Sequence, residues 1–209
     1  MTQVDTSLRP FEPGTTGWSA ADLDDPQIEK LWFQGRYEIV DGVLTKMAPA
    51  FFTGGSALAN LLFVCQKHTR ERGVGGSFGT EADIIMDEAR VVIADAVFMA
   101  PEDNRRQEQA RLQAGRNDPE RTRILVPPTL IIESVSPGHE QHDRRTKLRW
   151  YAEFRVPNYW ILDAFEKSLA CWVLDGDTYR VEASGGNADQ VRPGVFPGLV
   201  ISLADVWRQ

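Results

Sequence analysis

A chain of 209 residues with 42% apolar side chains, six Trp and ten Phe can bury one sizeable core. No apolar run approaches the roughly 18 residues a membrane helix needs, and the start MTQVDTSLRPFEPG has no basic segment followed by an apolar stretch, so no membrane partner and no secretion are expected. The net charge of −7 argues against a nucleic-acid binder, which usually shows a basic footprint. Cys65 and Cys171 lie far apart without CxxC spacing, which argues against a zinc knuckle or structural disulfide and fits a reducing cytoplasm.

In chain order, residues 1–18 read as an extended arm rich in Pro, Gly, Ser and Thr, and 19–209 as a single domain. Ser19 is placed to cap a helix running to about Phe33. Tyr37–Leu44 predicts two short strands around Asp41-Gly42, a strong hairpin signal. Apolar residues at helical spacing (Leu58, Leu61, Leu62, Cys65) predict a helix from about Ser56 to Arg72, ended by Gly73. Strands follow at 80–87 and 91–99. Residues 101–123 are mostly charged or amide side chains and read as a mobile surface loop with at most a short helical turn. Leu130–Val135 predicts a buried central strand, and a helix is expected from about Glu140 to Phe154. Short strands at Tyr159–Asp163, Leu169–Leu174, Thr178–Ala183 and Val200–Ile201 complete the chain. Hairpins mixed with a strand–helix–strand unit predict an α/β fold, a mixed sheet flanked by helices.

Two acids stand where their neighbours expect burial. Glu133 interrupts Leu130-Ile131-Ile132-Glu133-Ser134-Val135, and strand alternation puts it on one face with Ile131 and Val135. Asp95 interrupts Val91–Met99 on the face of Val91, Ile93, Val97 and Met99. A buried carboxylate must be neutralised, paired or placed on a metal. Two of them on core strands suit Mg²⁺, with Mn²⁺ as a substitute, because such ions take one or two carboxylates and keep room for phosphate. Strand-end positions or arginine partners are the alternative. On the following helix, Asp143, Lys147, Trp150, Tyr151 and Phe154 fall in one stripe, so Lys147 points with the aromatics. It either pairs with Asp143 or Glu133, assisting phosphodiester chemistry, or snorkels to water. Between 141 and 155, Arg144, Arg145, Lys147, Arg149 and Arg155 outnumber Asp143 and Glu153, which is either a local basic face or an ordinary solvated one.

At these residues the chain resembles the "putative restriction endonuclease" family of the PD-(D/E)XK nuclease superfamily, over roughly residues 32–205. The resemblance rests on Tyr37–Leu44 with Met47-Ala48-Pro49, on Ala94–Phe98, and on Leu130–Pro137. It extends through Asp143, Lys147 and Tyr151 to Val156–Asp163 and Phe196–Leu199. It implies a restriction-endonuclease-like core, a divalent metal on Asp95 and Glu133, and a homodimer. It also implies that Lys147 replaces the usual lysine two residues after the second acid, where this chain has Val135. Glu38 matches a recurrent hairpin glutamate of the family and is a supporting candidate with Asp143; an exposed strand residue is its other reading. The proline before the first acid is Ala94 here, and Phe51–Gly55 holds no histidine where relatives often have one.

His139 and His142 lack the HExxH order of a zinc protease, Gly73–Gly76 has no GK[ST] after it, and no GxSxG elbow is present. Glu81 and Asp83 share a strand face and could either touch the site or meet solvent. The expected function is an Mg²⁺-dependent endonuclease acting on DNA, with Asp95, Glu133 and Lys147 as catalytic residues. A weak or inactive nuclease-fold module that binds nucleic acid or protein is the alternative.

Overall fold

The computed structural model describes residues 9–47, 52–115, 123–135 and 146–208. Tyr37–Val40 (β1) and Val43–Lys46 (β2) form the expected hairpin. Its two turn residues, Asp41 and Gly42, both take positive φ (49° and 79°), the backbone that matches the twist of paired strands. Ser77–Asp87 (β3) pairs along Arg90–Met99 (β4), followed by Leu130–Ser134 (β5), Asn158–Asp163 (β6), Ser168–Asp175 (β7) and Thr178–Gly186 (β8). Among the described residues these eight strands make one sheet in the order β2-β1-β4-β5-β6-β7-β8, with β3 also on β4. All neighbours are antiparallel except β5 and β6, whose parallel pairing requires a crossover. Gln190–Val191 (β9) and Ile201–Ser202 (β10) form a separate ribbon.

Helices lie on both faces. Phe52–Glu71 (α2) and the short Leu203–Val206 (α5) bury Leu61, Leu62, Cys65 and Val206 against Phe98, Leu130, Ile132, Trp160 and Phe196. On the opposite face, Leu148–Glu153 (α4) in the β5–β6 crossover packs Trp150, Tyr151 and Ala152 against Ile131, Tyr159 and Ile161. A third cluster of Trp18, Leu23, Ile28, Trp32, Ile39, Leu44 and Val91 seats the N-terminal part. Here the described part of the arm is tied down: Leu44 N–H donates to Thr15 O at 3.0 Å and Trp18 N–H to Gly42 O at 3.0 Å.

Two expectations change, and a third falls partly outside the described residues. The helix from Ser19 to Phe33 is split into a 3₁₀ turn, Ala20–Asp24, and Pro26–Trp32 (α1), because Asp25 caps a new start (Gln27 N–H to Asp25 Oδ1, 2.8 Å) and Pro26 fits the first helical turn. The loop expected at 101–123 is a helix over Pro101–Gln113 (α3), while 116–122 lies outside the described residues. The expected helix from Glu140 is described only from Thr146, whose wider turn with Lys147 leads into α4.

Strand alternation in β4 also slips at Asp95. Val92 and Ala94 face the α4 side, but so does Val97, whereas Ala96 and Phe98 face α2. Opposite this point, between the paired positions Thr80 and Ala82, Glu81 has φ +50°. Val91 and Val97 therefore do not share the single face that alternation predicts.

Candidate functional site

The site begins with a fork in the sheet. β3 occupies one edge of β4, so β1 and β5 must share the other: β1 pairs at Val91, and β5 at Ala96, Val97 and Phe98. Between these points the ladder from β4 is taken over by side chains. Ile93 N–H donates to Glu38 Oε1 (3.0 Å), and Ile93 O accepts from Lys147 Nζ (3.0 Å). Asp95 Oδ2 in turn accepts the N–H of Ser134 on β5 (2.8 Å). Backbone groups buried in a sheet need partners, and here ionisable groups supply them.

Two ionic assemblies result. In the inner one, Lys147 Nζ lies 3.0 Å from Glu38 Oε1 and 3.1 Å from Glu133 Oε1. The Tyr151 hydroxyl donates to Glu133 Oε1 at 2.6 Å. All three charged side chains are at most 3% exposed. Burial first, then the charge of Glu133, hold the Tyr151 phenol well above its ordinary pKa, so it stays a donor. Lys147 is thus neither snorkelling nor solvated, and Glu38 is fully buried, which overturns its reading as an exposed strand residue. The sequence supplies this geometry through spacing: Lys147 and Tyr151 are four residues apart at the start of α4 and so meet the same carboxylate.

The outer assembly is wetter. Arg36 Nη2 donates to Asp95 Oδ1 at 2.9 Å, with the two side chains 25% and 19% exposed, and Arg36 Nε stands 3.9 Å from Glu81 Oε1. Arg36 escaped the sequence reading. Its signal was parity, since in extended backbone Arg36 points with Glu38 two residues on.

Asp95 and Glu133 come next after the paired Ala96 and Ile132 on adjacent strands, so the structure brings both acids to the fork. Asp143, His139, His142, Arg144 and Arg145 lie outside the described residues. The described remainder of the basic stretch faces acids: Arg149 meets Glu153 at 3.6 Å and Arg155 meets Asp177 at 2.8 Å. Asp83, paired across from Ile93, accepts from Trp32 Nε1 (2.8 Å) and meets Arg123 Nε (3.3 Å); burial raises its pKa against the pull of that arginine. Cys65 and Cys171 are free and buried, and burial lifts the Cys65 thiol to about 12.

Among the described residues no group of three or more His, Cys, Asp or Glu side chains is gathered to hold a metal. The donor chemistry nevertheless fits a hard ion at Asp95 and Glu133, two oxygen acids on neighbouring strands. The Arg36 guanidinium on Asp95 is an organic cation standing where positive charge is called for.

This mixed sheet, forked around acids and flanked by helices, one of which delivers a lysine, is an α/β fold with a counterpart among solved structures. The match to a solved structure supports that class: a crystal structure titled as "a putative nuclease belonging to DUF820" from Anabaena variabilis ATCC 29413 aligns with TM-score 0.63 at 13% identity, covering 83% of this chain and 90% of that one. The model of the Uma2 family, "Putative restriction endonuclease", matches residues 29–204, and the chain belongs to this family. No curated protein matches the sequence. No helix among the described residues is long and apolar enough to cross a membrane.

Proposed function

We propose that the protein is a divalent-metal-dependent endonuclease that hydrolyses phosphodiester bonds in DNA, with Asp95 and Glu133 holding Mg²⁺ or Mn²⁺. The observation that carries this reading is the convergence of Asp95, Glu133 and Lys147 on the one stretch of β4 where the ladder is broken. A bound cation there would polarise the phosphate and acidify a water. The chain's own groups prepare the place. Tyr151 and Lys147 both donate to Oε1 of Glu133 and so set the orientation of its carboxylate. The Ser134 N–H does the same for Asp95. Lys147, spread over Glu38, Glu133 and Ile93 O, offsets the acids and is the nearest ammonium to charge developing at the fork. The resemblance further implies a homodimer, and two buried free thiols suit a reducing cytoplasm.

Two observations favour the second reading, a nuclease-fold module with little or no activity. Both acids already have organic cations beside them, and the net charge is −7. Purified protein incubated with plasmid, with and without Mg²⁺ or Mn²⁺, separates the two. Metal-dependent nicking that vanishes in Asp95→Ala supports the enzyme. Absence of cleavage on duplex DNA, single-stranded DNA and RNA supports the module.

A further inference from the structure

Building on the metal-site reading above, we propose that Arg36 is an exchangeable counter-ion. It holds Asp95 until a divalent cation takes Oδ1, and is then handed to the phosphodiester anion that the cation brings.

Four observations support the exchange. Asp95 Oδ2 is fixed by a backbone donor, the Ser134 N–H at 2.8 Å, so the pose of the carboxylate does not depend on the guanidinium. Arg36 grips the remaining oxygen with one prong, Nη2 at 2.9 Å, instead of the stronger two-pronged fork. Among the described residues its Nε is buried without a hydrogen-bond partner, and a further acid, Glu81 at 3.9 Å, is itself 67% exposed. Arg36 also sits just before β1, on the short link from α1, and its side chain is 25% exposed, whereas Lys147 is 3% exposed and enclosed.

Charge sets the direction. Glu38, Glu81, Asp95 and Glu133 against Arg36 and Lys147 leave two formal negative charges, which a single dication neutralises, so that Arg36 is no longer needed on Asp95. A dication and a guanidinium on the same carboxylate repel, and the weaker, wetter partner leaves. Arg36 then offers a planar fork of N–H donors, the geometry that suits phosphate.

The test uses the full chain and Mn²⁺ binding measured by calorimetry, without nucleic acid, for the wild type, Arg36→Ala, Arg36→Gln and Asp95→Asn. Circular dichroism checks that each is folded, and the milder Arg36→Gln serves if the alanine variant is not. Both Arg36 variants should bind Mn²⁺ on the order of tenfold more tightly than wild type, and Asp95→Asn more weakly. Loss of a nearby positive charge favours the ion by itself, so the exchange is separated from a fixed arginine by the nucleic-acid measurement that follows. In a second measurement, Ca²⁺ should strengthen wild-type binding to a short DNA duplex, and that gain should be lost in the Arg36 variants. Arg36 variants that bind Mn²⁺ no better than wild type, while Asp95→Asn binds worse, would overturn the exchange and leave the metal site standing. Equal Mn²⁺ binding in Asp95→Asn and wild type would overturn the metal site and the exchange with it. An undiminished Ca²⁺ gain in the Arg36 variants would overturn the hand-over to phosphate.

Discussion

Lys147 and Arg36 neutralise acids at the same fork in the sheet, but from opposite sides of the protein's dielectric boundary. Lys147 is sealed beneath α4 with Glu38, Glu133 and Tyr151, where each charge has lost its water and depends on its partners. Arg36 reaches Asp95 through partly open surface, where water can replace it. A short N···O distance therefore means different things in the two places. Inside, it records an obligation of the fold; outside, it records a contact that can be traded.

The largest effect should come from breaking the inner assembly. Lys147→Ala leaves two buried carboxylates without their ammonium and should lower unfolding stability in urea by about 3–5 kcal/mol. Tyr151→Phe keeps the ring and removes one hydrogen bond to a charged acceptor, for about 1.5–3 kcal/mol by the same measurement. Alkaline pH sharpens the contrast without mutation. Burial raises the pKa of Tyr151, Tyr179 and Cys171 and lifts Cys65 to about 12. The unfolded chain gives up these protons first, near roughly 8.5 for thiols and 10 for phenols, while the folded chain keeps them. Their contribution is intact below those values and is lost as pH rises toward the folded ones, by about 1.4 kcal/mol per pH unit for each group ionised only in the unfolded state. Thermal melts between pH 8 and 11 should show this fall, with a shallower slope in Tyr151→Phe. Smallest of all, Arg36→Ala should change urea stability by no more than about 1 kcal/mol. A loss as large as that of Lys147→Ala would erase the distinction between the two assemblies.

Much of this was legible in the sequence where one physical demand dominates. Asp41-Gly42 announces its turn because few residues accept two positive φ angles in a row. Glu133 stands out because a carboxylate among Leu and Ile must have company. The misses have equally plain causes. α3 carries hardly any apolar stripe; it is held by polar contacts that come from distant sequence. Asp103 accepts from Ala100 N–H and from the backbone and hydroxyl of Thr129, and Gln107 bonds both Arg123 O and Leu125 N–H. Periodicity cannot see such tertiary bonds. The alternation slip at Asp95 belongs to the same class, since it coincides with the conformation of Glu81 on another strand. Arg36 was missed because an arginine beside a hairpin is ordinary until the strand it meets is known.

The acid on β5 and the amine beside it are carried by different layers of the molecule. Their separation is a stand-off distance, the height at which the crossover helix rides above the sheet, and that height is filled by Trp150 and by Tyr151 against Tyr159, ring centroids 5.2 Å apart. Thinning or thickening this aromatic spacer would retune the reach of Lys147 without replacing a carboxylate or an ammonium group. In a nuclease whose lysine sits on the same strand as its acid, two residues away, no such adjustment is open.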